Sequence, residues 1–151
     1  MKRLLVSIVA LTGLSGIAAL ITWKVVGEPD RAVVCDPAKL PEHFVCLVTA
    51  RGWPAEDILW VDARPRADWK KDGVFGSVLV NDQEDWLDLE PEFMMKMMVE
   101  TKPKVMVYCN QSGCGSSKYV AEQLRERHAE ALGFEVFVLE GGIKALQTEK
   151  K

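Results

Sequence analysis

"VMVYCNQSGCGSSKYVAEQL", Val105 to Leu124, runs from an apolar segment into a helical pattern through a loop with two cysteines, three serines and two glycines. The apolar part reads as a buried strand, "KVMVYC" from Lys104, and "SSKYVAEQLRERHAEAL", Ser116 to Leu132, reads as the helix after it. A loop between such a strand and helix aims backbone N–H groups and the positive end of the helix dipole at its own centre. A thiol on the rim of that cradle becomes more acidic, because the thiolate is itself the stabilised anion. Glycines let the backbone curl inward where a Cβ would obstruct. Cys109 is therefore the candidate nucleophile, with Asn110, Gln111, Ser112, Gly113, Cys114, Gly115 and Ser116 as its anion-binding loop and Ser116-Ser117 as the N-cap.

Working outward, the same alternation recurs. "ILWVDAR", Ile58 to Arg64, is an apolar run ending in charge, and "SVLVND", Ser77 to Asp82, is a second strand. "EPEFMMKMMVE" predicts a helix opening on Pro91, and "EVFVLEGG" a fourth strand. Upstream, Asp36-Pro37 is a helix opening, with Leu40, Phe44, Leu47 and Val48 at helical spacing. Strands alternating with helices predict an α/β domain with a mostly parallel sheet covered on both faces. Ligands in such sheets bind at the C-terminal strand ends, where Asp62, Cys109 and Gly141 fall.

The 151 residues are 48 % hydrophobic, enough for one domain with a core. Lys and Arg number 19 against 22 Asp and Glu, a net charge of -3, so nothing calls for nucleic acid. The four cysteines lack the paired C-x-x-C spacing of a zinc site, and no metal or cofactor is expected. Cys35 and Cys46 are either a bridge or two separate core cysteines. Met94, Met95, Met97 and Met98 read as adaptable core packing, and His43 and His128 as residues of polar helix faces. Trp60 reads as core.

The N-terminus differs in kind. After Lys2 and Arg3, Leu4 to Trp23 contains no charge. At ~1.5 Å per residue such a segment spans a ~30 Å hydrocarbon core. Basic residues before it and Trp23 at its other edge predict a single-pass helix with its N-terminus in the cytoplasm; a cleaved signal segment is the alternative. Either reading exports the remainder of the chain. The expected organisation is an anchor at 1–23, a polar linker at 24–32 and the domain at 33–151.

From about Val33 to Leu146 the sequence resembles the rhodanese-like family. The resemblance rests on "LWVDARPRADW", on "VYC…GSSKYVAEQL" and on "VFVLEGG", in that order. It implies an α/β domain in which Cys109 accepts a sulfane sulfur as a persulfide and passes it to a thiol acceptor, small molecule or protein. Asp62 and Arg64 are then supporting residues, or simply a strand-end salt bridge. The sequence departs from the family pattern at "DGVFGS", Asp72 to Ser77, where only Gly76 is in a recognisable place, and at "IKAL" after Gly142. Its loop is about two residues longer than the shortest in the family and holds no arginine. Thiosulfate is a dianion that wants a fixed cation, and Lys118 is the nearby candidate. A persulfide or low-molecular-weight thiol donor fits the loop as well, whereas a phosphatase would need the missing arginine. Cys114 either resolves an oxidised or persulfidated Cys109 as a disulfide or packs under the helix. Two functions remain: a membrane-tethered sulfurtransferase, or a non-catalytic module that binds a partner or senses redox state through Cys109 and Cys114.

Overall fold

The computed structural model describes residues 35–100, 104–110 and 115–148, with side chains for all of these except Val99 and Glu100. The expected anchor, the linker and the loop residues Gln111, Ser112, Gly113 and Cys114 lie outside the described residues. Among the described residues no helix is long and apolar enough to cross a membrane.

Five parallel strands form one sheet in the order β1-β5-β4-β2-β3. They are β1 (Phe44–Val45), β2 (Ile58–Asp62), β3 (Val78–Leu79), β4 (Lys104–Tyr108) and β5 (Glu135–Leu139). Pairing along β2 and β4 runs from Ile58 opposite Lys104 to Asp62 opposite Tyr108, so both strands finish at one level. The helices are α1 (Leu47–Ala50), α2 (Arg66–Asp72), α3 (Trp86–Glu100), α4 (Gly115–Leu124) and α5 (Gly142–Thr148).

Side chains alternate along β4, dividing the core into two. Val105, Val107 and Cys109 face Phe93 and Met97 of α3 and Val120, Ala121 and Leu124 of α4. Met106 and Tyr108 face Leu47 and Ala50 of α1 and Ile143 and Ala145 of α5. Burial on both faces is why β4 is almost continuously apolar.

Several expected elements take another form. The helix expected from Pro37 stops after a single 3-10 turn, Pro37–Lys39, capped by Asp36, whose side chain accepts from Ala38 N at 3.1 Å. Pro41 is the reason: its ring and missing N–H break a helix within one turn of its start. The chain then turns through His43, at φ 65°, into β1, so His43 is not on a helix. Cys46, between β1 and α1, is bonded to Cys35, with Cα atoms 5.7 Å apart. This resolves the open choice for those two cysteines.

Helix α3 opens at Trp86 rather than Pro91. Asp85 caps it, its carboxylate accepting from Leu87 N at 3.0 Å, and Pro91 sits inside the helix. Met97 is buried and Met94 partly so, but Met95 and Met98 are exposed, because four methionines within five positions cannot share one helix face. The strand expected over Ser77–Asp82 pairs only at Val78–Leu79. The helix expected over Ser116 to Leu132 starts at Gly115, is interrupted by a π-turn, Arg125–Ala129, and ends at Leu132, before Gly133 at φ 69°. His128, on that turn, is partly buried and pairs with Glu90 of α3. Trp60 is only partly buried, its ring centroid 6.1 Å from that of Tyr108 in an edge-to-face arrangement.

Candidate functional site

The site is built where β4 ends. Ala63 N–H, just past β2, donates to the Tyr108 carbonyl at 2.8 Å, and Ile143 N–H donates to the Cys109 carbonyl at 2.7 Å. The second bond depends on the glycine pair before it. Gly141 and Gly142 have φ 81° and 56°, a region costly for any residue with a Cβ, and they turn the chain from β5 so that the first turn of α5 meets Cys109. The cysteine is thus held by its backbone from both neighbouring strands' continuations.

Its sulfur is buried and points toward α4. The Ser117 hydroxyl, also buried, donates to Cys109 Sγ at 3.4 Å. Such a bond favours the charged sulfur, as does the first turn of α4 with its N–H groups lacking helical partners. Ser116 and Ser117 are the second and third residues of this helix, not its cap. They point to different partners. The Ser116 hydroxyl donates to Asp82 Oδ2 at 2.9 Å. Both serines are plain in the sequence, but only the helix phase decides which of them reaches the sulfur. It is Ser117, the one not expected in the anion-binding set.

Asp62 and Arg64 stand on the other face of the sheet. Both are buried, and Arg64 grips Asp62 through Nε at 3.0 Å and Nη2 at 2.8 Å. Nη1 reaches Asp72 at 2.8 Å, and the guanidinium lies 5.7 Å from the Tyr108 ring centroid. Burial alone would lower the Arg64 pKa, but the hydrogen bonds to Asp62 and Asp72 raise it on balance. The Asp72 carboxyl is held below its ordinary range, chiefly by the Arg64 hydrogen bond. Beneath them the Tyr108 hydroxyl accepts from Val74 N at 2.9 Å and donates to Ser77 at 3.4 Å. Burial raises the Tyr108 pKa, so this hydroxyl stays protonated. With its donors engaged in this way, Arg64 supports the strand end rather than an anion beside Cys109.

A buried asparagine that no sequence motif marks shapes the rim. Asn81 Oδ1 accepts from Gln83 N and Glu84 N at 2.9 Å each, and its amide donates to the Arg64 carbonyl at 3.3 Å and to Glu84 at 3.0 Å. Glu84 in turn pairs with Arg66 at 2.6 Å. Asp82 rides on this turn. Lys118 and Asn110 are exposed. Among the described residues no cluster of His, Cys, Asp and Glu has the arrangement of a metal site.

The rhodanese-like domain model matches residues 50–149. No curated protein matches the chain. Among solved structures, an As–Sb reductase from Leishmania major superposes with a TM-score of 0.54 at 18 % identity, covering 70 % of this chain and 77 % of that one. A Bacillus halodurans protein gives 0.47 at 18 % identity over 72 % and 73 %. A thiosulfate sulfurtransferase from Pseudomonas aeruginosa gives 0.42 at 20 % identity, over 79 % of this chain and 19 % of that one. At such identities the reductase shows a shared fold and no more.

Proposed function

This chain belongs to the rhodanese-like domain family, and we propose that it is a membrane-anchored sulfur carrier working through a persulfide on Cys109. The observation that carries the reading is the seat of that sulfur, buried at the end of β4 with the Ser117 hydroxyl donating to it at 3.4 Å. A thiolate so placed attacks the outer sulfur of a donor R–S–SH. The Cys109–sulfur bond forms as the donor's S–S bond breaks; RS⁻ leaves and the proton stays on the transferred sulfur. An acceptor thiolate then attacks the same sulfur, and Cys109 leaves as thiolate. Two displacements balance without net oxidation, and the chemistry calls for no cofactor. The α4 N-terminus and Ser117 stabilise the sulfur anion that enters the first step and leaves in the second.

The tether is Leu4 to Trp23, and the domain lies on the far side of the cytoplasmic membrane. The Cys35–Cys46 disulfide supports this placement, since such bonds persist in oxidising compartments. Protease added to spheroplasts should digest the domain and spare a cytosolic control; a domain protected until the membrane is lysed would overturn the placement.

The test of the chemistry is mass spectrometry of the reduced full chain after treatment with a small persulfide. One added sulfur on Cys109, absent from Cys109→Ser, is the expected result. No added sulfur on the wild-type cysteine, or the same loading in the variant, overturns the reading.

A further inference from the structure

A carboxylate stands at the rim of the site meant for an anion. Asp82 Oδ2 accepts the Ser116 hydroxyl at 2.9 Å, and the next residue, Ser117, donates to the Cys109 sulfur. Two hydrogen bonds and one peptide unit therefore connect the carboxylate to the sulfur. Asp82 is not a loose loop residue. It follows Asn81, which is fully buried and makes four hydrogen bonds that hold the turn. Two of the cations in this part of the chain are already paired with other carboxylates. Arg66 is engaged by Glu84 at 2.6 Å, Arg64 faces the opposite side of the sheet with Asp62 and Asp72, and Lys118 is exposed on α4.

We propose that Asp82 sets the donor class of this site, disfavouring dianions such as thiosulfate and favouring persulfides of aminothiols, whose ammonium group it pairs. This rests on the reading of Cys109 as the sulfur-accepting thiolate. An aminothiol persulfide, ⁺H₃N–R–S–SH, presents its outer sulfur to Cys109 with its ammonium a few bonds further out. There a carboxylate on the rim can meet it. The displacement leaves the aminothiolate ⁺H₃N–R–S⁻ and Cys109–S–SH, so atoms, charge and electron pairs balance. Thiosulfate would bring two negative charges toward Asp82 and leave as sulfite. An exposed charge pair changes a binding constant by about two- to fivefold, and salt screens it.

The experiment compares initial rates of sulfur loading on Cys109 in the reduced full chain, using cysteamine persulfide and thiosulfate as probes. In Asp82→Asn, whose amide oxygen can still accept from Ser116, the rate with cysteamine persulfide should fall about two- to fivefold and that with thiosulfate should rise by a similar factor. Asp82→Lys should move the ratio further the same way. Raising salt should shrink the wild-type preference and leave that of Asp82→Asn nearly unchanged. An unchanged ratio in both variants, with Cys109 still loaded, overturns the role of Asp82 alone. Failure of both donors to load the wild-type cysteine overturns it together with the function on which it rests.

Discussion

The Ser117 hydroxyl donates to the Cys109 sulfur from inside the first turn of α4, with both residues buried. A hydrogen bond to a charged acceptor contributes about 1.5–3 kcal/mol, so its loss should be read in the reactivity of the thiol. Ser117→Ala is expected to slow iodoacetamide alkylation of Cys109 about fivefold or more near pH 7 and to move its pH profile upward. Ser117→Thr should restore both. A profile identical in wild type and Ser117→Ala would mean the hydroxyl only packs.

The Gly141–Gly142 turn is the second support of the cysteine. Gly141→Ala places a Cβ on backbone at φ 81°, which costs about 1–2 kcal/mol. It also loosens the Ile143 N–H bond to the Cys109 carbonyl. Urea unfolding should show the loss, and amide exchange at Ile143 should quicken by more than the global change. Unaltered exchange there would show that the turn does not carry that bond.

Asp72 makes acid stability a test of the Arg64 network. Its carboxyl is depressed first by the Arg64 hydrogen bond, so the folded pKa lies below the unfolded one. That contribution is fully present above the unfolded value of about 3.9 and disappears as pH falls through the folded value. Wild-type Tm should therefore drop below about pH 4 more steeply than that of Asp72→Asn, which starts lower at neutral pH. Parallel curves for the two proteins would rule out the coupling.

Closing Cys35 to Cys46 spans a separation of 11 residues, for which chain entropy predicts about 3 kcal/mol. Cys46→Ser should lose about that much in urea unfolding without reductant, and Cys35→Ser about the same. With dithiothreitol the wild type should fall to the level of the variants. A wild type insensitive to reductant would contradict a structural bridge.

Local chemistry made much of this molecule readable. The apolar runs ending at Asp62 and Tyr108 are strands because a parallel sheet buries both faces. The loop after Cys109 announces itself through its glycines and serines, and Asp36-Pro37 marks a helix start that the structure contains, one turn long. Pro41 and Pro91 mark the limit of such reading. The same residue type ended one helix and was absorbed by another, since Asp85 had capped α3 ahead of Pro91. Propensity is a local quantity, and neighbours elsewhere in the chain override it.

Residue types and their order were enough to define the parallel α/β class, the position of Cys109 at a strand end and the glycine pair after β5. The pairing of Cys35 with Cys46, the choice of Ser117 over Ser116 and the approach of Asp82 to the rim required the folded chain. Each joins groups whose separation in sequence says nothing of their separation in space. Asp82 and Ser116 stand 34 positions apart and meet within one hydrogen bond because β3 and β4 flank β2 and end on the same edge of the sheet. A strand pattern specifies which face a side chain takes, whereas the order of strands across the sheet decides which ends become neighbours.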